Sequence, residues 1–181
     1  TGDQAAVLRA PMITKALVQF LRLTRWGTAN DPLDILLVDL PPGTGDVTLS
    51  LAQNVKLDGL ILVTTPQDVA VIDADKCASA FHKLHVPLLG VVENMSYFVA
   101  DDQKKYYIFG QGGGDLLAKK FNTELLAQLP LVTQVREGGD EGRPIVLKNA
   151  DSESAKILRG LAKKVAAAIQ LLDTKTEIGR A

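Results

Sequence analysis

The sequence predicts a three-layer α/β/α fold built on a mostly parallel sheet. Three observations carry this reading. Short apolar runs alternate with helical patterns along the chain. The runs 33–40, 59–65 and 87–94 are nearly continuous in apolar residues, as strands buried on both faces are. The polar residues collect just after those runs, at one edge of the implied sheet, where ligands of such folds bind.

The elements follow in order. A helix is expected over 12–25, before "LDILLVDL" (33–40), the first strand. A helix over 46–54 leads to the strand "GLILVTT" (59–65), and a helix over 69–84 to the strand "PLLGVVEN" (87–94). The next connection, 95–114, is long for a strand-to-helix link, and its "YYIF" could form a short hairpin strand. A helix over 113–121 and a weaker strand, "TELLAQLP" (123–130), come next. "REGGDEGRPIV" (136–146) reads as a loop. The last helix, 152–172, carries Ile157, Leu161, Val165, Ala168 and Leu172 at helical spacing, with Asp151 or Ser152 as N-cap. Residues 1–172 then form one domain, and 173–181 a polar, frayed tail.

Composition bounds the function. The chain has 181 residues, 46% hydrophobic and 23% charged, with a net charge of −1. That is the mix of a globular domain with a sizeable core. It favours neither a nucleic-acid surface nor a polybasic membrane anchor, and no apolar run is long enough to cross a bilayer. One cysteine, Cys77, excludes an internal disulfide and fits a reducing compartment. The chain opens on Thr1 without the basic and apolar blocks of a signal peptide.

The richest motif is "DLPPGTGD" (39–46). It looks like a phosphate loop, yet no Gly-Lys pair occurs anywhere in the chain. An Asp ending a buried apolar strand commonly holds the water shell of Mg²⁺ beside a nucleotide. Gly43 lacks a side chain and can bring its amide close to a phosphate. The plainer alternative is a Gly-Pro turn capped by an Asp. "GQGGGD" (110–115) is open between an anion nest and a hinge, with the hinge preferred. Arg136 and Arg143 are read first as ion-pair partners. Cys77 is read as a small, partly buried apolar residue, and His82 and His85 as surface or capping residues.

Five motifs occur in order: "DLPPGTGDVTLSLAQ", "VTTPQDVAVIDADK", "VPLLGVVENMSYF", "IFGQGGG" and "REGGDEGRPIV". Together they resemble the Mrp/ApbC group of the ParA/MinD-like P-loop ATPases, carriers of iron–sulfur clusters, from about Arg9 to the end of the last helix. The resemblance implies a P-loop NTPase-like sheet whose N-terminal strand and phosphate loop are missing from this chain. It implies ATP and Mg²⁺ as cofactors. Asp39 matches the aspartate that meets Mg²⁺ through water. Gly43, with Thr44, matches the switch that senses the terminal phosphate. Asp46 falls near the attacking water. Asn94 matches the residue that reads the adenine edge, and Pro130 the turn over the base. It also implies a homodimer, iron–sulfur apo-proteins as clients, and a cytoplasmic setting or an organelle stroma or matrix.

Two departures temper the expectation. The family's K-G-G-V-G-K-[ST] loop has no match, so this chain alone should bind ATP weakly and be inactive as an ATPase. The C-x-x-C pair that holds a [4Fe–4S] cluster between subunits is replaced by "VADDQKKYY". Asp101 and Asp102 are hard oxygen donors and poor substitutes for thiolates. Two alternatives stay open: a non-catalytic interaction module on the same fold, and a positioning ATPase of the ParA/MinD type.

Overall fold

The computed structural model describes residues 10–41 and 45–178. It divides into two compact units, 1–57 and 58–181.

The first unit holds two helices, α1 (Ala10–Leu23) and α2 (Asp46–Asn54). Ile13, Leu17 and Leu21 recur every four residues, which puts one apolar face on α1. In α2, Leu51 is buried. Arg22 ties the helices by donating to the Asn54 carbonyl at 2.6 Å.

The expected strand 33–40 does not form. An apolar run becomes a strand only when neighbours take its N–H and C=O groups. Among the described residues, none pairs with this segment. Its side chains are correspondingly open: Ile35 and Leu36 are exposed, and Leu37 keeps 79% of its surface in contact with solvent.

The second unit is a sheet between helical layers. Its strands are β1 (Leu60–Thr64), β2 (Leu88–Val99), β3 (Lys105–Tyr106) and β4 (Leu125–Pro130). β2 is central. β1 and β4 flank it in parallel, and β3 pairs antiparallel with its far end at Phe98 and Val99. Helix α3 (Asp68–Lys83) and helix α4 (Gly113–Lys120) cover one face. There Leu62 and Val91 meet Ala74, Ala78, Leu117 and Ala118. The long helix α7 (Glu153–Ile178) covers the other, packing Ile157, Leu161 and Val165 on Val92, Leu126 and Ala127. Val91 and Val92 thus serve opposite layers, as successive residues of a doubly covered strand must.

Three local outcomes differ from expectation. β2 runs past Asn94 to Val99, and its hairpin partner is Lys105–Tyr106 rather than "YYIF". The supposed loop 136–146 contains most of helix α5 (Thr133–Asp140) and the start of α6 (Ile145–Lys148). Helix α7 continues beyond Leu172 to Ile178, so residues 173–178 are helical rather than frayed. Its N-cap is Ser152, whose Oγ accepts the Ala155 N–H at 3.3 Å.

Candidate functional site

In the second unit, the carboxyl ends of the parallel strands bring together Thr64, Glu93 and Gln128. Asn94 follows on β2, and Pro130 closes β4. β2 is irregular here. Glu93 pairs with Gln128 and Tyr97 with Pro130, so four steps on β2 match two on β4. The excess forms a bulge over Asn94, Met95 and Ser96, with Met95 in the left-handed region at φ 53°. Asn94 stands half-buried on this bulge. Its Oδ1 accepts the Met95 N–H at 3.0 Å. Its Nδ2 donates to none of the described residues, so the carboxamide keeps its donor pair and the second lone pair of Oδ1 for an incoming group. Pro130 is buried, and the Leu131 N–H just beyond it donates to the Tyr97 carbonyl at 2.7 Å.

Beneath the bulge lies a carboxylate that sequence reading did not single out. Glu93 is 1% exposed. Its Oε1 accepts from Ser96 Oγ at 2.5 Å and Gln128 Nε2 at 2.9 Å, and its Oε2 from the Gly114 N–H at 2.7 Å. The signal was present: an acidic residue inside an apolar strand must find donors, and the "GGG" run supplies backbone N–H groups without side chains in the way. "GQGGGD" is therefore an ordered helix start rather than a hinge. Gly112 caps α4 in the left-handed region at φ 79°, and Gly113 and Gly114 are buried. Its amide acceptor is internal to the protein.

Asp39 and Asp46 lie in the first unit. Asp39 is exposed, at the end of the unpaired run. It is the one charged residue lining an otherwise apolar groove of about 460 Å³ bordered by Ile13, Leu17, Phe20 and Trp26. Asp46 opens α2, whose N-cap is Gly45. Thr48, in the first turn of α2, donates across the loop to the Pro41 carbonyl at a long 3.5 Å. Gly43 and Thr44 lie outside the described residues.

The segment in place of C-x-x-C is a hairpin tip. Asp102 accepts from the Lys104 N–H and the Tyr106 hydroxyl, each at 3.0 Å, which occupies its oxygens in shaping the turn. Tyr97 anchors the hairpin base. Its hydroxyl donates to Glu153 at 3.0 Å, and Lys105 Nζ sits 3.9 Å from its ring centre. Burial, then the hydrogen bond to Glu153 and its charge, push the phenol up to about 12. Cys77 packs at the rim of the α3–α4 core, and burial raises its thiol, so thiolate is disfavoured. Among the described residues, no three His, Cys, Asp or Glu side chains group to hold a metal ion. Arg136 is engaged by Asp140 at 2.6 Å and Glu137 at 3.4 Å, the ion-pair role expected of it.

A parallel sheet with its polar residues at the carboxyl edge is the architecture of α/β proteins that bind ligands beyond the ends of their strands. The family model for ParA, described as NUBPL iron-transfer P-loop NTPase, matches residues 1–166, and the chain belongs to this family. Proteins called iron-sulfur cluster carrier protein are similar to it. That of Aquifex aeolicus is 46% identical over 169 residues, 93% of this chain and 45% of the relative. That of Escherichia coli K12 is 48% identical over 168 residues, 92% of this chain and 44% of the relative. That of Deinococcus radiodurans is 49% identical over 171 residues, 94% of this chain and 47% of the relative. The chain thus spans about half the length of these curated relatives. Among solved structures, a nucleotide-binding protein from Archaeoglobus fulgidus in complex with ADP matches with a TM-score of 0.64 at 32% identity, over 78% of this chain and 56% of its own. MinD from Pyrococcus horikoshii, complexed with Mg-ADP, matches with a TM-score of 0.62 at 22% identity, over 87% of this chain and 56% of its own. The second likeness speaks for the P-loop NTPase-like α/β fold alone. No helix of the described residues is long and apolar enough to cross a membrane.

Proposed function

We propose that the full-length protein is an ATP-dependent carrier that delivers iron–sulfur clusters to apo-proteins. The observation that carries this is the family match together with three cluster-carrier relatives at 46%, 48% and 49% identity. Both units belong to one nucleotide-binding domain in this reading, because the family match runs across their boundary. Asn94, half-buried with a donor pair and an acceptor lone pair to spare, reads the adenine edge, and Pro130 forms the turn over the base. Asp39, an exposed hard-oxygen donor, organises the water shell of Mg²⁺. Gly43 and Thr44 sense the terminal phosphate, and Asp46 stands near the attacking water. Mg²⁺ supplies charge neutralisation at the phosphates.

The cluster is cargo, and the residues described do not fit its ligation. Its thiolates come from sequence outside this chain or from a partner, because Cys77 is the only thiol and is half-buried. The working protein is a homodimer acting in the cytoplasm or an organelle stroma or matrix, with apo-proteins as clients. A non-catalytic interaction module on the same fold is the second reading.

Anaerobic reconstitution of the full-length gene product with iron and sulfide tests the proposal. The expected result is a cluster absorbance band and faster activation of an apo-protein when MgATP is present. A full-length protein that neither gains the band nor accelerates transfer rules the carrier reading out.

A further inference from the structure

The central strand departs from regular pairing at one place, and a buried acid spans that place. Glu93 lies just before the β2 bulge and Ser96 at its far side, and the two are joined directly at 2.5 Å. The remaining bonds of the carboxylate leave the strand. One goes to Gln128 on β4 and one to the Gly114 amide at the start of α4. Among the described residues, no Lys or Arg is a hydrogen-bond partner of it. Burying a carboxylate this deeply is costly unless every oxygen finds donors, and here both do. A fully satisfied polar network in a low-dielectric interior holds its members in one arrangement. Met95 shows what is being held: its φ of 53° is one that residues other than glycine adopt only when the surroundings impose it.

Asn94 sits inside this clamp. It projects from the bulge between the two residues that the carboxylate joins. We infer that Glu93 is the positioning residue for Asn94. It fixes the bulge, and with it the direction in which the Asn94 carboxamide faces a bound purine. The inference rests on the reading that Asn94 contacts the adenine edge. Its consequence is selectivity: a fixed carboxamide, with the second lone pair of Oδ1 accepting from the 6-amino group and Nδ2 donating to the ring nitrogen, distinguishes a 6-amino purine from a 6-oxo purine, whereas a wandering one adapts to either.

The test uses the full-length gene product. Dissociation constants for ADP and inosine diphosphate are measured by titration calorimetry for the wild type, Asn94→Ala, Glu93→Gln and the double variant. Asn94→Ala is expected to lower the ADP-to-inosine-diphosphate preference by roughly ten-fold, the scale of one hydrogen bond. Glu93→Gln is expected to lower the same ratio by roughly three- to ten-fold, and to change it no further in the Asn94→Ala background. If Glu93→Gln weakens both nucleotides equally and leaves the ratio intact, its role is only structural and the inference fails while the adenine reading stands. If Asn94→Ala leaves the ratio intact, or the wild type binds no ADP, the adenine reading fails and takes the inference with it. Should Glu93→Gln not fold, Ser96→Ala removes a single donor and reads the same ratio. An unchanged ratio there overturns the inference.

Discussion

At the scale of the residue, much of this molecule turns on where a side chain would not fit. A Cβ on Gly114 would lie 2.9 Å from the Glu93 Cβ and 2.9 Å from Leu125 Cδ1. Neither neighbour can withdraw freely, since one belongs to the buried acid and the other to the core. Gly114→Ala is expected to cost about 1–3 kcal/mol of stability, read as a lower urea midpoint with an unchanged slope. No loss would mean that the approach of α4 to β2 is looser than the structure shows. Asn94 and Pro130 stood out in the sequence through the family resemblance of their motifs. The Glu93 network was only half visible: an acid in an apolar strand hinted at it, but two of its three partners stand 21 and 35 residues away and become neighbours only on folding.

At the scale of the element, the hairpin of β2 and β3 is tied to helix α7 through Tyr97 and Glu153. The phenol holds its proton up to about 12, against 10.0 ordinarily. A raised pKa means that the folded state binds the proton more tightly than the unfolded one. The contribution is therefore complete below about pH 10 and is lost as pH climbs toward about 12. Tyr97→Phe should lose about 1 kcal/mol at neutral pH, from the missing hydrogen bond, and should show a shallower alkaline decline than the wild type. Urea melts at a series of pH values, with phenolate absorbance as a second readout, measure both. Parallel alkaline declines in the two proteins would count against the assignment.

Elements differed in how readable they were. Three apolar runs gave β1, the first half of β2 and β4, because burial on both faces leaves a continuous pattern. Helix α5 escaped because Gly138 and Gly139 lower helix propensity. Tertiary structure reverses that judgement. A Cβ on Gly138 would sit 2.7 Å from the Arg143 carbonyl, so the turn into α6 needs glycine there. The Arg136–Asp140 pair also spans one helical turn. The run 33–40 misled in the other direction. Its composition suits a strand, but pairing is a property of two segments, and one segment's sequence holds only half of it.

At the scale of the whole molecule, the chain carries the features proposed for holding Mg²⁺ and base but no Gly-Lys pair for gripping phosphates. Most of the binding free energy of a nucleoside triphosphate comes from its phosphates and their counter-charges. Calorimetric titration of this 181-residue chain with MgATP should therefore give weak binding, with a dissociation constant on the order of 1 mM or no measurable heat. Tight binding would show that phosphate recognition here does not depend on that lysine.

The bulge in β2 has a consequence for parity. Side chains of a strand alternate between its faces, so Val91, Glu93 and Tyr97 would share one face if β2 were regular. They do not: Val91 and Glu93 serve the α4 side, while Tyr97 reaches Glu153 on α7. The left-handed step at Met95 changes odd for even. Straightening the bulge without changing its length would return Tyr97 to the face of Glu93 and swing the hairpin's anchor to the opposite layer. The bulge is what keeps the asparagine proposed to read the base and the helix-docking tyrosine on their separate sides.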